Sequence, residues 1–292
     1  MRKSIATPST TNKIVQKYNL TLKKSLGQNF IIDENILINM IKTSEIAKDS
    51  GVIEIGPGIG ALTEQLAIAA KKVVAYEIDE RLLPVLEDTL SPYQNVEIFH
   101  EDILNVDLHQ TIKKHFSGVS NVHIVANLPY YVTTPILFAL LEADLPITSI
   151  TIMIQKEVAE RMAANPGSKE YGSLTIAVQY YTVPKLVMEV PKTVFTPAPK
   201  VTSAVLHLVK RKESLVQVED EKYFFSIVKA SFAHRRKTLR NNMISFLKNR
   251  LSKEEIDEVF AEVDIDSRRR GESLSIQEYA SLANAFYKAE AR

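Results

Sequence analysis

The feature that most narrows the possible folds is an alternation from Gly51 to about Ile152, in which short β-branched runs take turns with helical patterns. Val52 to Ile55 reads as a first strand, followed by GPGIG and a helix over Ala61 to Ala70. Val73 to Tyr76 is a second strand with a helix near Glu80 to Leu90, Val96 to Phe99 a third, Val122 to Ala126 a fourth and Ser149 to Ile154 a fifth. Strands this apolar are covered on both faces, and the intervening helices supply the cover. The expectation is a parallel, doubly wound α/β sheet whose ligand sits at the carboxyl ends of the strands. One more helix is expected to start at Pro135, capped by Thr134.

After VPKTVFTPAPKVTSAVLHL the pattern turns wholly helical, with segments near 220–232, 236–248, 253–261 and 275–289. The proline-rich run 191–199 reads as a structured connection. A chain of 292 residues, 45% hydrophobic, can fill more than one core. Three divisions follow: an N-terminal segment 1–50, a sheet domain 51–204 and a small all-helical domain 205–292.

Composition removes several classes of function. With no cysteine, disulfides and thiolate metal sites are excluded, and the six histidines show no helical i,i+4 ligand spacing beside a carboxylate, so no metal is expected. No stretch reaches the roughly 20 apolar residues of a membrane helix. MRKSIATPSTTNKIVQKYNL lacks the apolar centre of a secretory signal, so a cytoplasmic protein is expected. The net charge is +1, unevenly spread: residues 1–24 carry six basic residues and no acid, 25–184 ten basic and twenty acidic, 185–292 twenty basic and fifteen acidic. A solvated mixed surface and a polyanion held by the basic ends both account for that pattern.

In EIGPGIG, Gly56, Gly58 and Gly60 lie between a strand and a helix, where the backbone turns sharply or meets a ligand closely. A plain structural turn and a dinucleotide fingerprint fit the same letters. Glu77 ends the second strand, where a carboxylate can accept from ribose hydroxyls, and Asp102 closes the third, where one can accept from an adenine amino group; either acid could instead cap a helix. No Lys or Arg follows the loop to meet a pyrophosphate, and the neighbouring Glu54 and Glu64 are acidic. That surround suits a cationic nucleoside such as S-adenosylmethionine.

The fourth strand runs into NLPYYVTTPI. If the Asn127 side-chain oxygen and the Leu128 carbonyl both accept N–H bonds from an exocyclic amine, its lone pair is freed from the ring and turned toward a methyl donor. Pro129 stiffens the turn and Tyr130 offers a stacking face. An ordinary strand-to-loop turn is the alternative. Phe195, between stiffening prolines, is the candidate second aromatic for an unstacked base, with core packing as its alternative.

SLGQNFIID (25–33), EIGPGIGALT, EID (77–79), ED (101–102), NLPYYVTTPIL, QKEVAERM, YG (171–172), FTPAPKVTSAV and SFAHRRKTLRNN (231–242) together resemble the rRNA adenine N6,N6-dimethyltransferases, small-subunit branch, over nearly the whole chain. The resemblance implies a Rossmann-like class I methyltransferase fold with a small C-terminal helical domain that binds rRNA. It implies S-adenosyl-L-methionine as cofactor, covered by the N-terminal segment. It further implies dimethylation of two adjacent adenosines in a hairpin near the 3′ end of 16S rRNA, within the small subunit or its precursor, with kasugamycin resistance on its loss and a role in subunit biogenesis. By position, Asn29 and Ile31 match cofactor contacts, Gly56, Glu77 and Asp102 the loop, ribose and adenine positions, and Asn127 the residue shared by cofactor and amine. A monomer without metal or membrane is expected. Large-subunit macrolide-resistance methyltransferases share a similar tetrapeptide, and an assembly factor with secondary methylation is a non-enzymatic rival.

Arg236 and Arg240 are expected one turn apart on a helix, flanked by Arg235 and Lys237, as a face for RNA phosphates. Arg268, Arg269 and Arg270 fall in an expected turn, where solubility explains them equally well.

Overall fold

The computed structural model describes residues 3–20 and 28–291. Residues 25–27 of SLGQNFIID, and the basic residues Arg2, Lys23 and Lys24, lie outside the described residues.

In chain order the strands are β1 (Phe30–Ile31), β2 (Gly51–Ile55), β3 (Lys72–Glu77), β4 (Val96–His100), β5 (Val122–Asn127), β6 (Ser149–Gln155), β7 (Thr182–Val190), β8 (Phe195–Thr196) and β9 (Ser203–Lys210). The helices are α1 (Pro8–Lys17), α2 (Glu34–Thr43), α3 (Ala61–Ala69), α4 (Leu83–Leu90), α5 (Leu108–His115), α6 (Thr133–Glu142), α7 (Lys156–Met162), α8 (Ser173–Tyr181), α9 (Glu221–Ser231), α10 (Leu239–Leu247), α11 (Lys253–Glu262) and α12 (Ile276–Glu290). Seven strands form one sheet in the order β4-β3-β2-β5-β6-β9-β7. β2 pairs in parallel with both β3 and β5, so the chain runs outward on one side of β2 and returns on the other. The crevice at such a reversal is where doubly wound sheets bind ligands.

The five expected strands are present because buried parallel strands need apolar side chains on both faces; every residue of β2 is buried. β9 is a sixth apolar strand, antiparallel to β6 from Ser149↔Val209 to Gln155↔Ser203. A boundary at 204/205 therefore cuts a strand. The compact units are 1–159 with 185–210, and 160–184 with 211–292. In the second unit α8 and α9 to α12 enclose an aromatic core that includes Tyr171, Phe224, Tyr279 and Phe286.

Two helix starts differ from expectation. α6 begins at Thr133, not Pro135: the first amides of a helix lack intrahelical partners, so proline fits within the first turn. Instead of Thr134 capping the helix, the Thr133 hydroxyl donates to the Pro129 carbonyl at 3.2 Å. α10 begins at Leu239, where Thr238 accepts from the Asn241 amide. The basic N-terminal segment is folded against the first unit through α1, with Ile5, Ala6 and Ile14 buried. Among the described residues, no helix is long and apolar enough to cross a membrane.

Candidate active site

The carboxyl ends of β2, β3 and β5 and residues 28–31 line one cavity, with no Lys or Arg among the described residues of its wall. Gly56 and Gly58 adopt φ of 69° and 63°, in the left-handed region that a Cβ disfavours. A Cβ on Gly58 would also stand 3.3 Å from the Phe30 ring. The Gly58 amide donates to Glu77 Oε2 at 3.1 Å, and the Asp79 amide to Glu77 Oε1 at 2.8 Å. Burial pushes the Glu77 carboxyl above its ordinary range, opposed by those two amides. Two oxygens offer about four acceptor sites, so Glu77 can hold the loop and still receive ribose hydroxyls. Asp102 Oδ1 accepts the Leu104 amide at 3.0 Å, capping the turn Ile103–Asn105, while the residue also lines the cavity. Capping the turn and lining the cavity coincide in one carboxylate.

At the tip of β5, Asn127 Nδ2 donates to the Asn29 carbonyl at 3.4 Å. That contact uses one of the two N–H groups of the amide; among the described residues nothing donates to Oδ1. The Leu128 amide donates to the Met153 carbonyl at 3.2 Å, and the Leu128 carbonyl likewise has no donor among the described residues. The next carbonyl, of Pro129, takes both the Val132 amide and the Thr133 hydroxyl. The tip thus presents two open acceptors in succession and closes off the third. Tyr130 is pinned by a 2.7 Å hydrogen bond between its hydroxyl and that of Ser203, and burial raises its phenol above the usual range.

The short ladder β1·β8 pairs Ile31 with Phe195 and Phe30 with Thr196. The expected covering segment and the expected second aromatic are therefore held together. Phe195 is 4% exposed, belongs to the hydrophobic core and also lines the cavity, so its packing does not exclude a ligand-facing ring.

Several neighbours were not singled out by sequence reasoning. Gln28 Nε2 donates to Asp79 Oδ2 at 2.7 Å, and Arg81 holds Asp79 at 2.6 Å, drawing that carboxyl down to about 2. Ile78 and Leu104 line the cavity though half-exposed. Their signal was available: an apolar residue within two positions of each strand-end acid, where a loop would otherwise be polar. The acidic surround also divides. Glu64 accepts from the Ile5 amide at 2.9 Å and the Tyr93 hydroxyl at 3.1 Å and is absent from the cavity wall, whereas Glu54 belongs to it.

The expected basic helix face does not form. Arg236 lies in the turn before α10, so it does not stack one helical turn below Arg240. Arg240 grips Asp257 through two bonds of 2.6 and 2.7 Å, and Arg235 donates to the Lys169 carbonyl at 2.7 Å. Arg268 pairs with Asp266, and Arg269 with Glu278. Arg236 and Lys237 are exposed and make no ion pair among the described residues. The Leu239 amide donates to the Arg269 carbonyl, which brings their turn beside the one bearing exposed Arg270. Among the described residues no three His, Asp or Glu side chains gather as a metal site.

A family model described as ribosomal RNA adenine dimethylase matches residues 12–284. The chain is 58% identical over 286 residues to the ribosomal RNA small subunit methyltransferase A of Geobacillus sp. (strain WCH70), covering 98% of each chain. It is 59% identical to the protein of that description from Geobacillus kaustophilus (strain HTA426), again over 286 residues and 98% of each. Among solved structures, a dimethyladenosine transferase from Plasmodium falciparum matches with a TM-score of 0.76 at 26% identity, covering 89% of this chain and 98% of that one. A 23S rRNA methyltransferase matches with a TM-score of 0.68 at 25% identity, covering 88% and 99%.

Proposed function

The chain belongs to the ribosomal RNA adenine dimethylase family, and from that premise we propose how its cavity carries out the family's reaction. It is an S-adenosylmethionine-dependent rRNA adenine dimethyltransferase acting on the small subunit; identity near 58% to small-subunit relatives, against 25% to the large-subunit enzyme, favours that branch. The substrate is 16S rRNA, and the finer target is two adjacent adenosines in a hairpin near its 3′ end.

The cavity residues fit the cofactor: a loop whose Gly56 and Gly58 carry no Cβ, buried Glu77 for the ribose, Asp102 for the adenine, the apolar Ile31, Ile78 and Leu104, and, among the described residues, no cation to meet a phosphate. When bound, S-adenosylmethionine supplies an electrophilic methyl carbon on a sulfonium. Asn29 and Ile31 cover it from the N-terminal side. Asn127 Oδ1 and the Leu128 carbonyl accept the two N6 hydrogens of an unstacked adenine in the first transfer and the one that remains in the second, which turns the nitrogen lone pair out of the ring. Tyr130 and Phe195 hold the base between aromatic faces. No side-chain nucleophile takes part, and the displaced proton leaves to water. Arg236, Lys237 and Arg270 contact RNA phosphates and recognise its shape, with Arg235 and Arg240 positioning the turn between them.

The observation that carries this mechanism is the pair of open acceptors at the tip of β5, beside a carbonyl already occupied. The test is methylation by the full chain of small subunits and of 16S and 23S rRNA from cells lacking the enzyme, with dimethyladenosine mapped afterwards. Two adjacent marks near the 3′ end of 16S rRNA are expected; marks confined to 23S rRNA overturn the assignment.

A further inference from the structure

Glu54 sits in β2 with 1% of its surface exposed, among strand neighbours that are otherwise glycine or apolar, and contributes to the cavity wall. Its partners across the sheet are Ala75 and Val125. Among the described residues neither carboxyl oxygen has a hydrogen-bond partner. Among the described residues two groups face it: Glu77 at the end of β3, whose charge opposes ionisation, and Thr63 on α3, whose hydroxyl lies near without completing a hydrogen bond. Burial and Glu77 together push its carboxyl up to about 8. An isolated carboxylate so placed is strongly disfavoured, so at neutral pH the group holds its proton. An apolar residue would serve the sheet better, unless the cavity admits something positive.

We propose that Glu54 is a specificity-determining residue that reads the charge of the methyl donor: it is protonated while the cavity is empty and releases its proton to solvent when a cationic donor enters. The inference rests on the cofactor assignment above. Two groups on that cofactor are positive, the sulfonium, which the product lacks, and the α-ammonium, which the product keeps. Occupancy by either leaves Glu54 as a carboxylate beside a cation and returns one proton to the buffer.

The experiment is titration calorimetry of the full chain with S-adenosylmethionine near pH 7 in buffers of different ionisation enthalpy. Release of about one proton is expected, with affinity rising up to about tenfold per pH unit between roughly pH 6 and 8. S-adenosylhomocysteine identifies the group: an equal release points to the ammonium, no release to the sulfonium. Binding of the donor without proton release overturns the proposal; failure of the donor to bind overturns the cofactor assignment instead. Glu54→Gln keeps the shape and is expected to abolish the release and flatten the pH dependence. If its release persists, Glu77 is the source and the proposal falls. Should that variant not fold, the proton count of the unaltered chain still decides.

Discussion

The Gly58 amide donates to Glu77 Oε2 at 3.1 Å, joining the turn after β2 to the end of β3. One buried carboxylate thereby shapes the loop and faces the space the loop encloses. Glu77→Ala removes charge-assisted bonds worth about 1.5–3 kcal/mol each. Calorimetry should show donor affinity reduced roughly 10- to 100-fold or more, while RNA binding by filter retention stays near that of the parent. Normal methylation by this variant would reject the cofactor role of Glu77.

Asn127→Ala deletes one of the two open acceptors at the tip of β5. Removing a preorganised polar group of this kind costs about 10²–10³ in kcat, so single-turnover methylation should slow by that order with the RNA KM little changed. A variant that turns over normally removes the basis of the mechanism.

Tyr130 is anchored through its hydroxyl to Ser203 at 2.7 Å, which separates anchoring from stacking. Tyr130→Phe loses a bond of about 1 kcal/mol and keeps the ring; it should retain most activity. Tyr130→Ala loses the stacking face, worth about 1–3 kcal/mol, and kcat/KM should fall roughly 5- to 150-fold by the same principle. Equal losses in the two variants would show that the hydroxyl, not the ring, matters.

Arg236 and Lys237 point to solvent, whereas Arg240 is committed to Asp257. Replacing both Arg236 and Lys237 by Ala should reduce the slope of log K against log salt by about 2. Arg240→Ala should leave that slope nearly unchanged. The reverse result would return the RNA contact to α10.

His123 is buried between Ser149 at 2.8 Å and the Asn121 side-chain oxygen at 3.0 Å, and burial draws its imidazole down to about 4. A basic group with a lowered folded pKa contributes stability that is present above its ordinary value of 6.5 and is lost as pH falls toward 4. Thermal unfolding should therefore show Tm declining through that window, and His123→Gln should flatten the decline. An unchanged slope in the variant would place the acid sensitivity elsewhere.

How much was legible follows from what each element needed. β2 to β6 announced themselves because strands buried on both faces leave little choice but β-branched and other apolar residues. β7, with exposed Val183 and Leu186, and β9, after the proline run, did not, because their pairing is nonlocal. The second unit is discontinuous in sequence, so a linear change of pattern could not mark its edges. That Gly56, Gly58, Glu77, Asp102 and Asn127 line one cavity could be read from their order at successive strand ends, since a doubly wound sheet brings those ends to one edge. Whether Arg240 was open or paired with Asp257 could not be read at all.

By itself, then, the amino-acid order determined a parallel sheet, a crevice at its strand ends and an acceptor-bearing strand tip, because local periodicity and strand-end chemistry are properties of short segments. Only the tertiary structure decided that Phe195 lies across from Ile31 and, among the described residues, which strand-tip acceptors stay open, which arginines remain unpaired and that Glu54 stands without a partner. Each of those depends on residues distant in the chain meeting in space, and on burial, which makes an unmatched charge costly.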